Sequence, residues 1–147
     1  MSAGARRFYM VIAILAVLGI VVSSVSLAHH YRKSKTSFCD FGESFNCDIV
    51  NRSEYSTIAG IPVALIGILG YAALLAFATF YRDKAETPGI LVVGSLGGLG
   101  FALYLTYVEK YVLSAWCILC LSSLALIFTI TVLSMLLFLR SIRRAQT

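Results

Sequence analysis

The sequence predicts an all-α integral membrane protein, a bundle of four transmembrane helices with a long extracytoplasmic loop containing a short interfacial helix. Three observations carry this expectation. Of the 147 residues, 59% are hydrophobic and 13% charged, against about a quarter charged in a soluble domain. The apolar residues fall into four runs, each of a length to cross about 30 Å of hydrocarbon. The charges sit between those runs, where membrane topology puts them. The net charge of +5 is therefore not read as a nucleic-acid footprint, and no nucleic-acid partner is expected. The mean hydropathy of +0.88 and the length leave room for one membrane domain over residues 1–147 and for no added soluble domain.

In chain order, a short basic head containing Arg6 and Arg7 precedes the first predicted span, about 8–28. Its end, Ser26-Leu27-Ala28, resembles a signal-peptide cleavage site. The apolar run nevertheless exceeds the roughly 7–15 residues of a signal core, so a retained span is the expectation. Residues 29–60 form the outer loop, with charges of both signs and Cys39 and Cys47. A stretch of this length between spans usually has work to do. Its part from Cys47 to Ile58 lacks Gly and Pro and is read as a short helix near the interface. His29-His30 is read as a solvated loop end, because adjacent imidazoles diverge on a helix or strand and make a poor metal pair.

Gly60-Ile61-Pro62 opens the second predicted span, about 61–81. Pro62 suits a first helical turn, and Ser56 or Thr57 is a candidate cap. A charged turn from Arg82 to Thr87 leads to Pro88-Gly89 and the third span, about 89–108. Gly94-x-x-x-Gly98 gives that helix a smooth face for close packing, with homodimerisation as the alternative use. A turn from Glu109 to Ser114 leads to the fourth span, about 116–139, which ends before Arg140, Arg143 and Arg144.

Four spans put both termini on one side, and the density of basic residues selects the cytosol for them. The inner segments then hold Arg6, Arg7, Arg82, Lys84, Arg140, Arg143 and Arg144. The outer loop and the start of the fourth span face the opposite compartment, where disulfides persist. All four cysteines fall on that side.

Cys117-Ile118-Leu119-Cys120 is a Cys-x-x-Cys pair at the head of an apolar helix. As a staple it closes almost no loop, whereas a Cys39–Cys47 bridge would stabilise the loop by about 3 kcal/mol. Chemically the position is favourable, since unpaired N–H groups and the helix dipole stabilise a thiolate. Cysteines at i and i+3 share one helical face. A zinc site is the competing use of four thiolates, but the Cys39 to Cys47 spacing is not a usual ligand knuckle, and no metal is expected. Structural bridges in a non-enzymatic membrane scaffold remain the other alternative.

Cys39 and Cys47 in the loop, Ser53, Gly60-Ile61-Pro62 and the Cys117–Cys120 motif opening the last of four spans together resemble the vitamin K epoxide reductase family. The resemblance covers roughly residues 8–140. It implies a four-helix bundle with a quinone pocket near the outer leaflet. The bacterial and archaeal members reoxidise thioredoxin-fold proteins that introduce disulfides into exported proteins; the vertebrate members reduce vitamin K quinone and its epoxide. By resemblance, Cys39 exchanges with the partner and Cys47 attacks the Cys117–Cys120 disulfide. A transient Cys47–Cys117 bridge frees Cys120 to reduce the quinone. Cys120 lies one turn deeper than Cys117, nearer an apolar ligand.

Ser53 matches the family's loop serine near the active site. Ser56 falls where vertebrate members carry an asparagine that bonds the quinone, and Leu124 where they carry a tyrosine. Both departures argue against an epoxide substrate, which needs proton delivery to a developing alkoxide from a helix head that looks poor in acids. Trp116, Tyr55, Phe38 and Phe45 are candidates to stack on the quinone ring. The expected function is a quinone-dependent thiol oxidase using ubiquinone, menaquinone or a vitamin K-type quinone. Some bacterial relatives continue into a thioredoxin-like domain; here the thioredoxin-fold partner is expected to be a separate protein. The lipid bilayer is a bacterial or archaeal inner membrane, or the endoplasmic reticulum in a eukaryote. Vitamin K quinone or epoxide reduction is the alternative activity.

Overall fold

A computed structural model describes residues 2–31 and 53–147. Cys39, Cys47, Phe38 and Phe45 lie outside the described residues. Four helices make the body: α1 (Ala3–Tyr31), α2 (Val63–Thr79), α3 (Thr87–Val108) and α4 (Ile118–Gln146). A π-helical turn, Glu109–Leu113, continues α3. With that turn counted, α1, α3 and α4 are long and apolar enough to cross a membrane. α2, at 17 residues, rises about 26 Å and falls a little short of the hydrocarbon thickness.

The terminal helices are longer than their apolar runs. α1 starts at Ala3 and continues through Ser26-Leu27-Ala28 to Tyr31, and α4 carries Arg140, Arg143 and Arg144 within its last turns. Arginine is a good helix former, so leaving the apolar run does not end the helix. The reading of His29-His30 as a solvated loop end is corrected by this extension. Both belong to the last turn of α1, and His29 is buried at 4% exposure.

Ahead of α2, a 3₁₀ turn, Glu54–Ser56, leads into a two-stranded hairpin, β1 (Thr57–Ile58) and β2 (Ile61–Pro62), with Thr57 opposite Pro62 and Ile58 opposite Ile61. Ala59 and Gly60 make the turn with φ of 52° and 81°, the left-handed pair that a two-residue hairpin needs for its twist to match the strands. This hairpin corrects the expected capping. Pro62 itself is the N-cap of α2. Ser56 Oγ instead donates to the Ser53 carbonyl at 2.6 Å, and Thr57 Oγ1 to the Glu54 carbonyl at 3.4 Å. Of the interfacial helix expected from Cys47 to Ile58, the described part is the 3₁₀ turn alone.

At the other end, Pro88 sits in the first turn of α3 as expected. The buried Thr87 hydroxyl donates to the Tyr81 carbonyl, fixing the turn between α2 and α3.

α1 packs against α2 and α4, and α3 against α4. Ile12 and Ala16 of α1, Leu74 of α2, Leu91 of α3, and Ile130 and Leu137 of α4 form the buried seam. Lipid tails are as apolar as these side chains, so close packing rather than water exclusion holds such a seam. Small residues permit it. A Cβ on Gly19 would come within 2.4 Å of the Tyr71 ring, one on Gly94 would meet Leu74 at 3.4 Å, and one on Gly98 would meet Ile127 at 3.1 Å. The Gly94-x-x-x-Gly98 face is thus used within the chain, against α2 and α4.

The two chain ends meet. Arg144 donates to Ser2 Oγ at 2.6 Å, and the Arg140 guanidinium lies 4.6 Å from the centre of the Phe8 ring. The bundle therefore has a terminal end rich in arginine and, opposite it, an end carrying the hairpin, the π-turn and the Cys-x-x-Cys motif.

Candidate active site

Cys117 is the N-cap of α4, in extended backbone (φ −108°, ψ 116°), and Cys120 lies in the first helical turn. The Cys117 carbonyl accepts the N–H of Leu121 at 3.0 Å, closing that turn. The first N–H groups of a helix have no partner within it. Cys117 is fully buried and Cys120 partly exposed. The two sulfurs therefore differ in access.

The chain reaches this helix head through a folded device that the sequence does not announce. In the π-turn, the Glu109 carbonyl accepts the N–H of Ser114, the cap residue, which sits in the left-handed region at φ 50°. The same carbonyl accepts the N–H of Ala115 at 3.1 Å. A π-turn inserts an extra residue and often marks a functional position. Here it rolls the Glu109 side chain inward to 1% exposure. Glu109 Oε2 accepts the backbone N–H of Cys117 at 3.3 Å, and the Cys120 thiol is the side-chain partner of the same carboxyl. Glu109 Oε1 is buried with no hydrogen-bond partner among the described residues. The stretch from Glu109 to Ser114 was expected to be a plain turn between spans; it is instead a π-helical continuation of α3 with a buried acid at its start. That acid also corrects the expectation that the start of the fourth helix is poor in acids.

Cys120 and Glu109 stand in the wall of a cavity of about 350 Å³ between the four helices. The wall is mainly apolar, with Leu74, Phe101 and Leu105 among its members and Gly70 and Gly97 leaving room. A few polar groups converge on it. Ser56 Oγ lies 3.4 Å from His30 Nδ1. Tyr71 Oη lies 2.9 Å from both the carbonyl and the hydroxyl of Ser123. A largely apolar pocket of this size with a few placed polar groups is the usual form of a small-molecule site. Such a space suits a flat apolar ring, and the Ser56–His30 and Tyr71–Ser123 pairs are polar groups at its wall.

Of the residues expected at the site, Cys120, Ser53, Ser56 and Tyr55 line the cavity. Cys117 is buried immediately behind Cys120, packed with Leu119. Trp116, half-buried just before the helix, is not among the lining residues. Cys39 and Cys47 fall outside the described residues. Leu124 faces a separate apolar groove with Leu99 and Phe128, so its position does not contribute to this wall. Sequence reasoning missed Glu109, His30, Tyr71 and Ser123. An isolated acid at the end of an uncharged apolar run was the one available signal, since ionisable groups at membrane depth are expensive and tend to be functional.

The family comparison agrees with this geometry. Residues 10–135 match the Vitamin K epoxide reductase family, a span that includes all four helices for most of their length, the loop and the dithiol. Members are membrane oxidoreductases acting on thiols, and an apolar bundle with a Cys-x-x-Cys at one helix head is the architecture such chemistry needs. This integral membrane chain belongs to the vitamin K epoxide reductase family.

Proposed function

We propose that the protein is a quinone-dependent thiol oxidoreductase of four membrane spans. It reoxidises a separate thioredoxin-fold partner and so supports disulfide formation in exported proteins. Cys39 receives electrons from the partner's dithiol, Cys47 passes them to the Cys117–Cys120 pair, and Cys120 delivers them to the quinone. Each transfer is a thiolate attack on a disulfide, requiring an accessible sulfur and a good leaving thiolate. Ser53, Ser56 and Tyr55 contact the quinone from the loop side, and Trp116 shields the helix head. The observation that carries this reading is the placement of Cys120 in the wall of a 350 Å³ apolar cavity, with Cys117 buried behind it. An inert staple needs no such cavity.

The test is an anaerobic assay of the purified protein with a reduced thioredoxin-fold dithiol and a soluble quinone. Quinone reduction that depends on Cys120 is expected. No reduction, or undiminished turnover in Cys120→Ala, returns the cysteines to a structural role. For the relay order, a partner carrying only its attacking cysteine should trap a mixed disulfide with Cys39 in Cys117→Ala.

Glu109 supports a second reading, reduction of vitamin K quinone or its epoxide through the same relay, because it supplies the acid beside Cys120 that opening an epoxide requires. Adding vitamin K epoxide to the same assay separates the two. Consumption of the epoxide at a rate matching the quinone selects the second reading.

A further inference from the structure

We propose that Glu109 is a catalytic residue that carries the Cys120 proton to the electron acceptor; the inference rests on the reading of the cavity as the quinone site. Four observations point to it. The side chain is 1% exposed. Its carboxyl meets the Cys120 thiol and holds the Cys117 backbone. It belongs to the wall of the same cavity as Cys120. One of its oxygens has no partner among the described residues, although a buried polar atom without a hydrogen bond costs about 1–3 kcal/mol. A purely structural carboxylate holding one backbone N–H needs neither the thiol contact nor the spare oxygen.

The chemistry explains both. Oxidation of the dithiol breaks two S–H bonds, forms one S–S bond between Cys117 and Cys120, and sends two electrons and two protons to the quinone, which becomes a quinol with two new O–H bonds. Cys117 supplies one proton and Cys120 the other. Water is a poor carrier in an apolar wall, so the Cys120 proton needs a group within reach that alternates between acceptor and donor. Two anions in contact there would repel, so a proton leaving Cys120 passes to the Glu109 carboxylate rather than leaving both groups charged. With the proton on Glu109, Cys120 is a thiolate at a helix N-terminus, ready to give up its electron pair. The same carboxyl then releases the proton into the cavity as the disulfide closes. The π-turn is what keeps the carboxyl at the dithiol, eight residues before Cys117 in the chain.

The test uses the full chain in detergent, with its dithiol chemically reduced, and two readouts. In single-turnover mixing with a soluble ubiquinone analogue, Glu109→Gln preserves size and the bond to the Cys117 N–H but cannot carry a proton. Its rate at saturating quinone should fall roughly 100-fold, the lower range for lost acid–base catalysis, with quinone binding by titration unchanged. Glu109→Asp should recover part of the rate. Independently of turnover, infrared difference spectra of the reduced minus the oxidised protein, without quinone, should show a carboxyl band and a shifted S–H stretch that both vanish in Glu109→Gln. Unchanged rates and spectra in Glu109→Gln overturn the inference while leaving the quinone reading intact. Weakened quinone binding with an unchanged saturating rate also overturns it, assigning Glu109 to the shape of the cavity. Failure of the unsubstituted protein to reduce quinone at all removes the reading and the inference together.

Discussion

Two sets of glycines divide the bundle into a closed half and an open half. At Gly19 and Gly89 the missing side chain is filled by a neighbour, the Tyr71 ring at 2.4 Å and the Phe138 ring at 3.6 Å from where a Cβ would stand. At Gly70 and Gly97 a Cβ would meet nothing within 4 Å, and both residues line the cavity. The first pair brings helices together, and the second leaves a ligand-sized space where they part. A membrane protein lacks a water-driven core, so the same residue type does both jobs, and the difference lies in what stands opposite.

The largest expected effect comes from the one reactive atom of the open half. Cys120→Ala should reduce quinone turnover by on the order of 10⁴-fold or more, as removal of a reacting nucleophile does, without lowering the thermal unfolding temperature. A turnover assay beside a thermal melt in detergent checks both. A variant that loses fold and activity together would place Cys120 in the packed half instead.

Next come paired glycine substitutions, which should split the two halves. Gly97→Leu or Gly70→Leu fills the cavity, and the KM for a quinone analogue should rise roughly tenfold or more, corresponding to at least 1.4 kcal/mol of lost binding. Stability should hold or improve, since glycine is the poorer helix former. Gly19→Ala should do the reverse. Its Cβ collides with the middle of the Tyr71 ring, and that ring is tethered at its far end by the bonds from Oη to Ser123. Overpacking of this kind costs about 1–3 kcal/mol. Equal losses of stability in both sets would remove the distinction between closed and open glycines.

Tyr71→Phe isolates the tether. It keeps the ring against Gly19 and removes only the bonds to Ser123, so a loss of about 1 kcal/mol is expected. The Gly19→Ala penalty should then shrink in the double variant, because a ring freed from Ser123 can yield. An additive pair would show that the ring is fixed by packing alone.

The closed half was largely legible in the sequence; of the open half, the Cys-x-x-Cys was legible from its spacing and Ser53, Tyr55 and Ser56 from the family resemblance. Four apolar runs, Pro88 at the start of α3, and a Cys-x-x-Cys at the head of α4 all follow from local rules of length, propensity and spacing. The arginine-bearing ends of α1 and α4 were read as too short because hydropathy marks the membrane rather than the helix. Glu109 was hidden for a different reason: a π-turn and a left-handed Ser114 decide its direction, and neither has a reliable residue signature. His30 was hidden with it. Divergent imidazoles were a sound argument against a metal pair, yet that divergence is what sends His29 into the packing and His30 toward Ser56. The glycine pattern of α3 announced close packing without saying which of its members face a neighbour and which face the cavity.

The smallest effect should come from the hairpin that carries the loop side of the cavity. Gly60 has φ 81° and open space around it, so Gly60→Ala meets no clash and pays only for a left-handed backbone, about 1 kcal/mol. β1 and β2 pair only through Thr57–Pro62 and Ile58–Ile61, and a two-stranded hairpin of this length has little stability of its own. A relaxed turn should therefore displace the 3₁₀ segment before it and loosen the contact between Ser56 and His30. Global unfolding temperature should change little, because the four-helix seam does not include the hairpin. The KM for quinone should rise a few-fold while the saturating rate stays fixed, since Cys120 and Glu109 sit on a different part of the chain. A fall in the saturating rate instead would mean that the hairpin and the dithiol act as one unit.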